Sequence, residues 1–187
     1  MKKLVLLIVA LLVIPGMVFA QGAFDNTDTD LALPGKPGKT LCITDLAFDA
    51  TNATDDINFY APTGDMTRLT ADVAAAATLM TLAGTTGIAT NAQVIIQRAD
   101  GTYAETKALS AISTANVATV GALDAAYKEG DLVYEVSAWG IEYANVGTAA
   151  VTHQAGGKGE LFCAPYGQPL GAIIDAGLMI YMSGYYQ

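Results

Sequence analysis

The sequence predicts an all-β domain, a β-sandwich or barrel of short antiparallel strands preceded by an extended arm. Three observations carry that prediction. Runs rich in Thr, Val, Ile and Tyr recur about every 8–15 positions between turn residues, a rhythm of antiparallel sheets rather than of βαβ units. An Asp100-Gly101 pair stands between two strand-like runs, Val94–Ala99 and Thr102–Thr106, which predicts a hairpin with a type I′ turn. The two stretches that could be helical lack a good apolar stripe at the 3.6-residue period.

The chain opens with Met1-Lys2-Lys3, and Leu4 to Ile14 follows as an apolar run of eleven, broken by Pro15-Gly16. Val18 and Ala20 are small enough for the −3 and −1 positions of a signal peptidase site, so cleavage after Ala20 is predicted. Eleven apolar residues fall short of the roughly 20 that span a bilayer, so residues 1–20 read as a secretory leader rather than a retained anchor. The mature protein is expected to be secreted, in the periplasm or at the cell exterior, and free of the membrane.

Residues 21–40 read as an extended arm. Asp25, Asp28 and Asp30 alternate with Asn and Thr, Leu31-Ala32-Leu33 follows, and Pro34-Gly35-Lys36-Pro37-Gly38 excludes both helix and central strand. Residues 41–187 form the β domain. Its expected strands are Thr40–Leu46, Ile57–Ala61, Met66–Thr70, Gln93–Arg98, Thr102–Leu109, Val117–Val120, Leu132–Trp139, Glu160–Ala164, Ala172–Asp175 and Leu178–Tyr185. At most a turn or two of helix is expected in Asp72–Leu82, behind an Asp cap, and in Leu123–Glu129, before Gly130.

Composition narrows the function classes. Removal of Lys2 and Lys3 with the leader leaves 7 basic against 18 acidic residues, a net charge of −11. Such a chain repels phosphate backbones and anionic lipid, which argues against nucleic-acid or membrane-surface work. With 52% apolar and 14% charged residues it still buries enough to fold. Cys42 and Cys163 are its only cysteines, in no CxxC or CxxCH motif. In an oxidising compartment they are expected to form a disulfide that brings the first strand beside one near the C-terminus.

The pattern around the hairpin runs from Gly87-Ile88-Ala89 through Gln93–Ile96, Ala99-Asp100-Gly101-Thr102-Tyr103, Leu109–Ile112 and Val117–Val120 to Tyr127-Lys128-Glu129-Gly130-Asp131-Leu132-Val133-Tyr134. Over Gly87 to Val136 it resembles the small β-barrel modules of phage and prophage-like structural proteins, such as capsid-decorating and tail-associated subunits. The resemblance implies a nested β-barrel module over 87–137 and an assembly habit. The leader sets this chain apart from virion subunits, so no viral identity follows.

Motifs for chemistry are sparse. His153, the only histidine, sits in Thr152–Gly157, which reads as a surface loop, and no GxSxG, HExxH or Walker loop occurs. Paired carboxylates for glycoside hydrolysis need a sugar cleft, and Trp139, the single tryptophan, reads as a core or rim residue. No cofactor is expected. Calcium is the one candidate ion, through oxygen ligands in Asp25-x-x-Asp28-x-Asp30 and Asn52-x-x-Asp55-Asp56-x-Asn58, although neither has the Gly and terminal Glu of an EF-hand. Asn52-Ala53-Thr54 matches the glycosylation triplet.

The last 27 residues carry one charge, Asp175. A terminal strand apolar on both faces must be covered on both, either as a central core strand or, through Tyr181, Tyr185 and Tyr186, against a neighbouring subunit. Leu31 and Leu33 have the i, i+2 spacing for adding a strand to a neighbour's sheet edge. The expected function is therefore a non-enzymatic structural subunit that assembles with copies of itself into a filament, sheath or surface layer. The alternative is a monomeric extracellular binding module for carbohydrate or another surface ligand.

Overall fold

Thirteen strands run through the described residues of the computed structural model, which are 19–24, 30–49, 57–143, 151–154, 161–174 and 179–187. They are β1 (Phe19–Phe24), β2 (Asp30–Leu33), β3 (Leu41–Asp49), β4 (Ile57–Arg68), β5 (Leu79–Thr81), β6 (Gln93–Gln97) and β7 (Ala104–Ile112), followed by β8 (Val117–Val120), β9 (Leu132–Tyr143), β10 (Val151–Gln154), β11 (Phe162–Cys163), β12 (Leu170–Ile174) and β13 (Met179–Tyr186). The fold is all-β, with antiparallel sheets curled into a half-barrel and no helix among the described residues.

One sheet has the order β1-β13-β3-β10, with β11 also on β3; the other runs β2-β12-β4-β9-β6-β7-β8-β5. The second sheet folds back on itself twice. At one end β2 lies on β12 and also meets β7, through the single pair Leu31–Glu105. At the other end, residues after β4 return to β5. Leu69 bridges Leu82, Thr70 N–H donates to Thr81 C=O, and Ala83 N–H donates to Arg68 C=O. The elements from Met66 to Val136 thus close into a small ring.

β6 explains why the sheet curls this way. Val94, Ile95, Ile96 and Gln97 are all buried, so both faces of the strand are covered, as a continuous apolar run requires. Val94 and Ile96 face the core of the small ring, with Leu69, Met80, Leu82, Leu109 and Val133. Ile95 faces the opposite core with Ala104, Tyr134 and Val136. A side chain of this size contributes roughly 1.5–3 kcal/mol when fully buried, so β6 anchors two cores at once.

The structure corrects several local expectations. Ile57–Ala61 and Met66–Thr70 are parts of one strand, β4, whose register against β9 jumps from Pro62–Val136 to Met66–Tyr134. Pro62 cannot donate to a ladder and Gly64 has φ 113°, so the chain bulges there without ending the strand. Neither helical turn forms. Asp72 accepts from Glu129 N–H at 3.0 Å and from Lys128 Nζ at 2.7 Å, across to the other stretch, so it holds two turns together and caps no helix.

The hairpin exists, but its turn differs. Gly101 N–H donates to Arg98 C=O, Arg98 N–H donates to Tyr103 C=O, and only Gly101 of the pair has positive φ, at 68°. The connection is a four-residue loop, because the Asp100 carboxylate is drawn to the Thr102 hydroxyl (2.7 Å) and N–H (2.9 Å). The ring also enlists Met66–Leu82, so it extends beyond the expected 87–137 module.

Candidate functional site

The arm was expected to reach a neighbouring subunit, and in this chain it pairs with its own sheet. Leu31 lies opposite Ala172 and Leu33 opposite Leu170 in the β2–β12 ladder. The physical reason is the root of the arm, where the Pro-Gly stretch is pinned to the body. The buried Gln97 amide brackets Gly35: Gly35 N–H donates to Oε1 at 2.7 Å and Nε2 donates to Gly35 C=O at 3.1 Å. Only glycine fits there, since a Cβ would run into the backbone of Gly167 and Gln168. Tyr186 OH donates to Pro34 C=O at 2.8 Å, and Lys36 Nζ lies 4.3 Å from the centre of the Tyr186 ring.

That pinning also redefines the terminal tyrosines. Tyr186 is buried against its own arm, and burial pushes its phenol up in pKa. Tyr185 is half-buried and lies opposite Cys42 in the ladder. Tyr181 pairs on both sides, with Ala23 and Ala47, so β13 is a central strand of its sheet. The disulfide Cys42–Cys163 joins directly facing residues of β3 and β11. Gly184 is required beside it, because a Cβ would strike the Cys42 carbonyl where the β13 register shifts.

A charged cluster that the sequence reading did not single out closes the small ring. Glu105 and Lys107 point the same way from β7, two residues apart, and their side chains are 1% and 6% exposed. Lys107 Nζ lies 3.2 Å from Glu105 Oε2 and 2.8 Å from Asp124 Oδ2. Glu105 also accepts from Asp124 N–H at 2.9 Å and from Tyr127 OH at 2.7 Å. Burial raises the Glu105 pKa above its ordinary value despite these donors. Burial by itself would lower Lys107, but its bonds to Asp124 and Glu105 raise it. Partial burial would raise Asp124, but the Lys107 bond, a bond with Glu105 and the Lys107 charge together hold the carboxyl below its usual range. Tyr127 is pushed up by burial and by the Glu105 charge. The cluster ties the segment carrying Leu123 and Tyr127 to β7 and seals the core beneath.

The one signal for this cluster in the sequence is parity, since Glu105, Lys107 and the core residue Leu109 share a face of one strand. Of the calcium candidates, Asp25, Asp28, Asp55 and Asp56 lie outside the described residues, as does Asn52. Asp30 pairs through its backbone with Ile173 in β12. Among the described residues no three His, Cys, Asp or Glu gather as a metal site. His153 belongs to β10, opposite Leu46, where a loop was expected. Trp139 lies within β9, which continues to Tyr143. No protein-family model, curated protein or solved structure was found to match the chain.

Proposed function

We propose that the mature chain is a secreted, non-enzymatic structural subunit that assembles with copies of itself into an extracellular filament, sheath or surface layer. The observation that carries this reading is the N-terminal segment, which joins both sheets by strand addition. β1 lies on β13 at the edge of one sheet and β2 lies on β12 in the other. Among the described residues β1 pairs on one side only. An edge strand with a free row of N–H and C=O groups is a template for another chain. The leader is consistent with export, and so is the Cys42–Cys163 disulfide. The expected cleavage after Ala20 leaves Gln21–Phe24 in register with Ile180–Ser183.

Light scattering and negative-stain microscopy of the purified mature protein test the proposal. Ordered polymers that disappear when Gln21–Phe24 are deleted, with the β-sheet circular dichroism retained, support assembly through this edge. A wild-type protein that stays monomeric at all concentrations overturns it and favours a monomeric binding module.

A further inference from the structure

Lys107, Asp124 and Glu105 bring together an amine, a carboxyl and a second, buried carboxyl, which is what formation of an amide between side chains requires. We propose that Lys107 and Asp124 condense into an intramolecular isopeptide cross-link, with Glu105 carrying the protons between them. The proposal is independent of whether the subunit assembles.

The geometry supports each role. Lys107 Nζ is in hydrogen-bond contact with Asp124 Oδ2 at 2.8 Å. Oδ2 is bonded to Cγ, so the amine lies one covalent bond beyond hydrogen-bond contact with the carbon it would attack, where near-attack geometry requires about 3–3.5 Å. Glu105 holds the partner in place by accepting the Asp124 N–H, and its Oε2 lies 3.2 Å from the amine. Tyr127 OH fixes the other Glu105 oxygen. The amine and Glu105 are buried, while the Asp124 side chain is 50% exposed, so the site has an exit for a released water.

The step balances without a co-reactant. Glu105, ionised, takes a proton from the Lys107 ammonium and frees the nitrogen lone pair. Nζ bonds to Asp124 Cγ as Glu105 returns that proton to an Asp124 oxygen. Glu105 then takes a second proton from the nitrogen and delivers it to the hydroxyl, the Cγ–O bond breaks, and water leaves. Ammonium and carboxylate become a neutral amide, and nothing is oxidised or reduced. Condensation removes the Lys107 charge from a place where burial makes charge costly, and Glu105, already raised in pKa by burial, takes up a proton once its ammonium partner is gone. The elevated Glu105 pKa suits a group that must both take and give a proton, while the ion pairs that raise Lys107 make the first transfer uphill and the slow part of the step. The product would tie β7 covalently to the segment after β8, 17 residues along the chain.

Intact-mass spectrometry of the mature protein tests this. The wild type is expected to weigh one water less than its sequence, beyond the two hydrogens lost to the disulfide, with digestion yielding one peptide joined through Lys107 and Asp124. Lys107→Arg is expected to recover the full water. Asp124→Asn, which would condense with loss of ammonia, is expected to reach the same mass as the cross-linked wild type. A wild-type mass short of the two hydrogens alone, after prolonged incubation of folded protein, overturns the proposal whatever the variants do. So does a water deficit that maps elsewhere. A cross-link that forms equally fast in Glu105→Gln overturns the proton-carrier role.

Discussion

Gln97 shows how one buried amide decides where a whole segment lies. It is 2% exposed, and both of its bonds to Gly35 are made between groups far apart in the chain. Gln97→Ala leaves a buried N–H and C=O without partners, which is expected to cost about 2–3 kcal/mol in urea unfolding. Tyr127 makes a second residue-scale test. Its phenol is raised above the ordinary 10.0 by burial and then by Glu105. A group that holds its proton more tightly when folded contributes stability that is complete below the unfolded pKa and lost as pH rises past it. Alkaline unfolding above about pH 10 is therefore expected to coincide with a step in tyrosinate absorbance to which the buried Tyr134 and Tyr186 also contribute, and Tyr127→Phe should make that step smaller by one phenol. A Tyr127 phenolate appearing while the fold is intact would contradict this.

Strands matter here less for length than for what covers them. β6 has five residues and four of them are buried. Ile96→Ala is expected to cost about 2–5 kcal/mol by opening a cavity in the small-ring core, measured as a lower midpoint with unchanged m-value. β12 makes the opposite case, because it is crowded. A Cβ on Gly171 would lie 2.6 Å from Thr106 Oγ1 and 3.0 Å from Ile95 Cδ1. Gly171→Ala should therefore destabilise by about 1–3 kcal/mol through overpacking, against the usual advantage of alanine over glycine. An unchanged or raised melting temperature would show that β12 can move away.

Across the whole molecule, long-range ties hold the two ends of the chain together. Cys42 and Cys163 are 121 residues apart in sequence and opposite one another in the ladder. Nearby, Thr40 and Gln187 exchange both backbone hydrogen bonds. Closing a loop of that size limits the unfolded chain, so Cys42→Ser is expected to lower stability by about 4–5 kcal/mol in the chain-entropy model. Differential scanning calorimetry with and without reductant checks it, and an unaltered transition would mean that the neighbouring strands alone hold the ends.

The sequence by itself determined the all-β class, most strand positions and the cysteine partners. Each of these depends on local chemistry: β-branched runs between turn residues, an Asp-Gly hairpin, and two thiols with only one another to pair with. Val117–Val120 matches its expected bounds, and Gln93–Arg98 differs from β6 by one residue. Only the tertiary structure decided that β4 is one bulged strand, that Asp72 binds Lys128 instead of starting a helix, and that Leu31 and Leu33 pair within their own chain. It also decided that Glu105, Lys107, Asp124 and Tyr127 meet. These outcomes depend on hydrogen bonds and ion pairs between residues from 17 to 141 positions apart. No local period or turn signal encodes such pairs, because their free energy comes from desolvated groups that become neighbours only once the sheets have curled.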